Sequence, residues 1–336
     1  MFESRDPAIA HIAAYPRLLG DIGGTNARFG WQALEDTPIT HVQVLPCAEH
    51  ESLLAAAQTY LNAQSLSAPA CAAFGIANPV TGDQVAMTNH HWKFSVNALR
   101  EALGVPRFLL LNDFTALALS LTLLSASQKR QVGTGTAAPD AAIGLIGPGT
   151  GLGVSGLFPV GHQNKWIPIA GEGGHVSLTA TTAHEFAVVQ QLQKRYGHVS
   201  AERVISGAGL VDLYHALCDL KDGQGREITT PAEVLERAQE IPTSTANEAL
   251  DMFCAFLGSA AGDLALTLGA RGGIYIGGGI VPRLGERFDA SPFRERFEAK
   301  GRFKQYLQEV PTWVIHSPVS PALQGASQAL SLTQWQ

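Results

Sequence analysis

Several short stretches of this 336-residue chain place carboxylates, amides and an imidazole where they could act on a hydroxyl group. Leu109-Leu110-Leu111-Asn112-Asp113-Phe114 ends an apolar run in an amide and a carboxylate, just ahead of a helical pattern. At such a strand end Asp113 has two readings. It is a helix N-cap accepting backbone N–H bonds, or a general base with Asn112 orienting a substrate hydroxyl. Gly171-Glu172-Gly173-Gly174-His175 brings a second carboxylate and an imidazole within a few residues. Glycines cost a helix interior about 1 kcal/mol each, so a loop presenting Glu172 and His175 to a hydroxylated ligand fits better than a metal site on a helical face. The alternative has His175 capping a strand, VSLTA. Glu202, in Ser200-Ala201-Glu202-Arg203, reads by pattern alone as a first-turn residue of a helix, favoured there by the dipole. Met87-Thr88-Asn89-His90-His91-Trp92 pairs two histidines but lacks a flanking cysteine or carboxylate cluster, and reads as a polar loop buttressed by Trp92.

Glycine-rich turns supply a second chemistry. Leu18-Leu19-Gly20-Asp21-Ile22 is an apolar strand carrying a carboxylate, and Gly23-Gly24-Thr25-Asn26 then turns the chain into Ala27-Arg28-Phe29-Gly30. Glycines there let backbone N–H groups approach an anion closely, and Asp21 is placed to hold Mg²⁺ directly or through water. No helix pattern follows, so this is neither of the common nucleotide-loop signatures. A phosphate cradle and an ordinary hairpin remain the two readings. The plan recurs at 147–156 (GPGTGLGVSG), with Thr150-Gly151 at the turn, which suggests two related half-structures. Gly277-Gly278-Gly279 forms a third turn, between the strand GIYI and a charged helix, against which a flat ring or ribose could lie.

These groups need elements to hold them. Apolar runs at 71–77, 108–111, 142–147 and 273–277 read as buried strands, the first ordered strand beginning near Arg17. Helical patterns occupy 51–64, the segment LVDLYHAL, and about 247–268. Polar stretches at 127–141 and 219–232 read as loops. The mixture indicates an α/β fold. Hydrophobic residues make up 46% and charged residues 15%, enough for a large core, and a net charge of −6 argues against nucleic acid or an anionic membrane as main partner. Scattered Cys47, Cys71, Cys218 and Cys254 fit reduced thiols in a cytoplasmic protein. The N-terminus lacks a signal-peptide core, and the longest apolar region, 108–124, is broken by Asn112-Asp113.

Together, GDIGGTNARF (20–29), MTNHHW (87–92), NDF (112–114), GTGLGV (149–154), GEGGHV (171–176), SAERVISG (200–207), GGIYIGGGIVPR (272–283) and KGRF (300–303) resemble the bacterial glucokinase family of the hexokinase–actin superfamily. The resemblance spans about 17–330. It implies a two-domain, ribonuclease H-like α/β fold with a deep interdomain cleft. The smaller domain would comprise 17–124 plus 316–336, and the larger 125–315. It further implies ATP- and Mg²⁺-dependent phosphorylation of the 6-hydroxyl of D-glucose. By the same resemblance Asp113 is the base, and Asn112, Glu172, His175 and Glu202 are sugar ligands. Gly20, Asp21, Ile22, Gly23, Gly24, Thr25, Asn26, Thr150 and Gly151 match the phosphate loops, and Gly277, Gly278 and Gly279 the adenosine side. A homodimer is the family expectation. The cysteine-rich zinc motif of the related ROK sugar kinases is absent from the sequence. A kinase for mannose, fructose or N-acetylglucosamine, and a non-catalytic sugar sensor on the same scaffold, are the rival readings.

Overall fold

The computed structural model describes residues 1–5, 14–88, 90–161, 165–221, 223, 226–317 and 319–332. Asn89 of the MTNHHW stretch therefore lies outside the described residues. The chain divides into two compact units, Met1–Ser125 with Ser317–Gln336, and Ala126–His316.

The first unit runs β1 (Phe2–Arg5), β2 (Arg17–Ile22), β3 (Asn26–Gln32), β4 (Thr40–Pro46), α1 (Leu53–Ala63), β5 (Cys71–Ile76), β6 (Gln84–Ala86), β7 (Lys93–Ser95), α2 (Val96–Ala102), β8 (Arg107–Asn112) and α3 (Asp113–Ser120), and takes in the C-terminal helix Ala322–Ser331. Its main sheet has the order β1-β8-β5-β2-β3-β4, with β2, β5 and β8 parallel. Those three strands are almost continuously apolar because both of their faces are covered. Phe29, Tyr60, Phe74 and Phe108 are fully buried and in ring contact, at centroid separations of 5.0 to 5.6 Å. Helix α1 starts where the Ser52 hydroxyl accepts the Ala55 N–H at 3.1 Å. Buried Arg17 and Arg107 pin the C-terminal helix to this sheet by donating to the carbonyls of Ser327 and Leu330, at 2.7 and 2.8 Å.

The second unit contains β9 (Lys129–Val132), β10 (Ile143–Pro148), β11 (Leu152–Val160), β12 (Lys165–Ala170), α4 (Ala183–Tyr196), α5 (Gly207–Lys221), α6 (Pro231–Glu240), α7 (Thr245–Leu268), β13 (Ile274–Ile276) and β14 (Thr312–Ile315), besides shorter helical turns. Helix α7 is capped by Ser244 and stopped by Gly269 in the left-handed region. It is long and apolar enough to cross a bilayer, yet 72% of its most apolar window is buried, and Phe253, Phe256 and Leu257 form the middle of the core. The longest apolar stretch is thus this core helix and not the region 108–124.

The sheet order here is β12-β11-β10-β13-β14-β9. Read from the other edge, the first sheet is β4-β3-β2-β5-β8-β1, and the two agree pair by pair: antiparallel, antiparallel, parallel, parallel, antiparallel. The echo of the glycine hairpins is therefore an echo of whole sheets. Two sequence expectations are corrected by it. A strand precedes Arg17, with Phe2 opposite Leu110 and Arg5 opposite Arg107, and the stretch 127–141 begins with β9, whose Val132 faces Thr312. Both are short outer strands made by pairing with a neighbour, and they occupy equivalent places. The loop expected at 219–232 is shorter than that, since α5 runs through Lys221 and α6 starts at Pro231 behind a Thr230–Glu233 capping box.

Candidate functional site

In the first unit, strands β2 and β3 form the hairpin that the sequence suggested, and Gly23 N–H donates to Asn26 O at 2.9 Å across the turn. Cys47 braces it by donating its N–H to Thr25 O at 2.8 Å and its thiol to Gly23 O at 3.4 Å. Burial pushes that thiol up from its ordinary value. Gly20 and Ile22 belong to the buried strand, and a Cβ on Gly20 would meet the Phe74 ring at 2.6 Å. Core packing therefore requires the glycine at 20. Gly23 differs. Its φ is one any residue adopts, and an added Cβ would meet nothing closer than Asn26 O at 3.5 Å. Its lack of a side chain leaves backbone accessible from outside the protein.

Asp21 faces Arg28 across the hairpin, and the guanidinium donates to Oδ2 at 2.7 Å. The sequence reading missed Arg28, although a partner seven places beyond Asp21 across a tight turn is where an antiparallel pair must fall. Asn112, and not Asp113, is the N-cap of α3. Its Oδ1 accepts the N–H groups of Phe114 and Thr115 at 2.9 and 3.2 Å. The capping reading of Asp113 is thereby corrected. Its Oδ1 accepts the neighbouring Phe114 N–H at 2.9 Å, and half-buried Asp113 is the first residue of the helix. With the Asn112 oxygen engaged in the cap, its amide nitrogen donates to Asn78 O at 3.5 Å. Asn78 went unnoticed in the sequence. Its side chain accepts from Thr88 N and Oγ1 at 3.0 and 2.7 Å, which ties the MTNHHW loop to the end of β8. Trp92 buttresses that loop as expected: it is buried, and its indole N–H donates to His50 O at 3.0 Å.

In the second unit the Glu172–His175 loop, the Glu202 turn and the Gly277–Gly279 turn gather around the β10–β11 hairpin. Gly149 N–H donates to Gly151 O at 2.8 Å, and Thr150 is exposed at the tip. Gly277 N–H donates to Ile146 O at 2.9 Å, and a Cβ on Gly278, whose φ is +78°, would stand 2.2 Å from Pro148 O. The third glycine turn thus rests directly on the second. Gly173 and Gly174 seat the Glu172–His175 loop on β11. Added Cβ atoms there would meet Val154 Cγ1 at 2.8 Å and Leu152 O at 2.1 Å respectively. Glu202 lies in a turn, with the helix starting only at Gly207, so its reading as a first-turn residue is corrected. Its N–H donates to Gly174 O at 2.8 Å, and its Oε2 accepts the Leu152 N–H at 2.9 Å. His175 Nδ1 is 3.9 Å from the other oxygen of Glu202, and its side chain is 62% exposed. The strand expected after His175 reduces to a single bridge between Ser177 and Ser200. Gly149, Gly171 and Gly279 have no atom within 4 Å of an added Cβ and no left-handed φ, so neither packing nor strain explains them. Each leaves its backbone open on the side where a side chain would stand.

Comparison with known proteins identifies the family. The glucokinase family model matches residues 18–333. A glucokinase of Aromatoleum aromaticum is 52% identical over 317 residues, covering 94% of this chain and 95% of the relative. One of Chromobacterium violaceum is 52% identical over 320 residues, covering 95% and 90%. Among solved structures, a glucokinase from an Antarctic psychrotroph superposes with a TM-score of 0.84 at 35% identity, over 94% of this chain and 98% of that one. The match runs through both sheets and every motif from the first glycine hairpin onward, and the chain belongs to the glucokinase family.

Proposed function

We infer that the chain transfers the γ-phosphoryl group of ATP to the 6-hydroxyl of D-glucose, giving glucose 6-phosphate. The observation that carries this reading is the seating of hydroxyl-binding groups against an anion-binding turn: Glu202 and the Glu172–His175 loop are hydrogen-bonded or packed onto the strand that leaves the Gly149–Gly151 turn. A sugar hydroxyl is a weak nucleophile, and a positioned carboxylate contributes roughly 10²–10⁴-fold by taking its proton. Asp113 is the proposed base, since the cap at Asn112 fixes the start of its helix without using the Asp113 carboxylate as the cap. Glu172, His175, Glu202 and the amide nitrogen of Asn112 are the proposed glucose ligands; paired acceptors and donors suit adjacent hydroxyls. Backbone at Gly20–Asn26 and at Thr150-Gly151 is proposed for the phosphates, and Gly277–Gly279 for the adenosine side. In-line transfer then depends on positioning and on N–H groups aimed at the moving charge.

The donor set also suits Mg²⁺. Among the described residues no group of three or more His, Cys, Asp or Glu side chains is arranged to cage a metal. Mg²⁺ bound with a nucleotide keeps several waters and takes one or two carboxylates beside the phosphates. Asp21 at the first hairpin is the proposed carboxylate, with Arg28 orienting it. The ion would neutralise charge on the transferring phosphoryl group. The two units are proposed as the functional domains, the first carrying the base and the second the sugar-binding loops. A homodimer working in the cytoplasm completes the proposal, and light scattering on the purified chain tests its assembly.

A coupled assay of ADP formation over glucose, mannose, fructose and N-acetylglucosamine tests the activity. Glucose is expected to give the highest kcat/KM, and ADP formation indifferent to glucose would overturn the reading. Asp113→Asn is expected to keep glucose binding and lose turnover by about 10²–10⁴-fold. Near-normal turnover in that variant removes Asp113 as the base.

A further inference from the structure

Glu202 stands between the second glycine hairpin and the loop that carries His175. Its Oε2 accepts the Leu152 N–H at 2.9 Å, and a Cβ on Gly151 would come within 2.4 Å of the same oxygen. Leu152 is the first residue after the Thr150-Gly151 turn. The second oxygen, Oε1, lies on the side of His175, at 3.9 Å from its Nδ1. The backbone of Glu202 is held as well, through the 2.8 Å bond from its N–H to Gly174 O. With its main chain fixed and 34% of its side chain still exposed, the carboxylate has one oxygen on the hairpin and one toward the loop that carries His175.

We propose that Glu202 is a positioning residue for the nucleotide hairpin and that through it glucose and nucleotide bind interdependently. The proposal rests on the reading of Glu202 as a glucose ligand. A sugar hydroxyl donating to Oε1 holds the carboxylate in one orientation, which keeps Oε2 on the Leu152 N–H and stiffens the turn that meets the phosphates. The same bond draws negative charge away from the turn, and a lone carboxylate this close to a phosphate site opposes anion binding. Both effects have one sign: glucose raises affinity for nucleotide. Linkage requires nucleotide to raise affinity for glucose by the same factor.

Calorimetric titration of the full-length chain with Mg²⁺ and a non-hydrolysable ATP analogue, with and without saturating glucose, measures the coupling. The unmodified chain is expected to bind the analogue about fivefold or more tightly when glucose is present. In Glu202→Ala that ratio is expected to fall to about one even at glucose concentrations that saturate the variant. Glu202→Gln, which retains an acceptor oxygen for Leu152, is expected to keep part of it. If Glu202→Ala binds glucose more weakly but keeps the full ratio, the residue is a sugar ligand only and the coupling is overturned. If glucose affinity is unchanged in Glu202→Ala, the sugar-ligand reading fails, and the coupling with it. Hydrogen exchange at the Leu152 amide of the unmodified chain decides independently of how any variant folds. Glucose alone is expected to slow it, and an unchanged rate overturns the proposal.

Discussion

Gly325 offers the sharpest test of how remote packing governs the proposed base. It lies in the C-terminal helix with its Cα against α3, and a Cβ there would sit 1.6 Å from Ala116 O, 2.6 Å from the Ala116 carbonyl carbon and 3.2 Å from Ser120 N. Gly325 has an ordinary helical φ, so the backbone tolerates alanine. Helix propensity by itself therefore predicts that Gly325→Ala stabilises the protein by about 1 kcal/mol. Packing predicts the opposite. Cβ contacts below 3.0 Å essentially do not occur, so the two helices must part by about 1.4 Å. The obstacle is a backbone carbonyl inside a helix, which cannot swing aside as a side chain would. Parting the helices loosens the fully buried Leu323, Ala326 and Ala329 together with Ala116 and Leu119. Overpacking of this kind costs about 1–3 kcal/mol, and a backbone clash belongs at the upper end, which leaves a net loss of about 2 kcal/mol after the propensity gain. Because α3 begins at Asp113, a displacement of about 1 Å at its carboxylate should also cut turnover by about 10²-fold. Urea denaturation followed by circular dichroism measures the first effect, and kcat at saturating glucose and ATP the second. Gly82→Ala is the control: it meets nothing within 4 Å, needs no left-handed φ, and should change stability by less than about 0.5 kcal/mol. A Gly325→Ala protein as stable as the parent, with unchanged turnover, refutes the reasoning.

Three further outcomes are expected. Gly278→Ala combines a left-handed φ of +78° with a contact 2.2 Å from Pro148 O, so it should push the second hairpin out of place; its KM for ATP should rise at least about tenfold, and an unaltered KM would separate that turn from the nucleotide. Glu185 is buried. Desolvation pushes its carboxyl up, but Arg296 and the Thr181 hydrogen bonds outweigh this and hold it below the usual carboxylate range. A depressed folded pKa contributes stability above the unfolded value of about 4.3, and that contribution is lost as pH falls through the folded value. Glu185→Gln should therefore flatten the acid limb of a stability–pH curve and cost about 3 kcal/mol at neutral pH; an unchanged acid limb would show that the pair is not the source. All four cysteines are buried, and desolvation pushes the Cys254 thiol up to about 12. An aromatic disulfide reagent at pH 8 should react slowly with the folded chain and with all four thiols once urea unfolds it, and rapid labelling of the native protein would contradict the burial.

Much of the fold was legible because it is written in local patterns. Apolar runs bounded by glycine, proline or asparagine gave β2, β5, β8, β10 and β13 to within a residue or two, and helical periodicity located α1 and α7. The strand–turn–strand plan of both glycine hairpins was equally plain, since three small or polar residues between apolar segments leave few other conformations. The outer strands β1 and β9 were not legible. Four residues carry too little alternation to announce a strand, and these become strands because β8 and β14 offer unpaired N–H and C=O groups along one edge. Adjacent Asn112 and Asp113 show the same limit on a smaller scale. Either could cap α3, and the choice fell to the amide because the helix starts one residue earlier than an aspartate cap would require.

The sequence by itself determined which residues could do chemistry here and which family they belong to, because motif content and order survive without coordinates. Only the tertiary structure decided what those residues touch. Glu202 is the clearest case: its local pattern reads as a helix start, yet its carboxylate meets an N–H 50 residues away. Gly174 and Gly278 likewise look like flexible turns, and in the fold they are places where one backbone must lie against another. Sequence periodicity records which face of an element is buried. It does not record which backbone that face will meet, and in this protein the proposed site is made of such meetings.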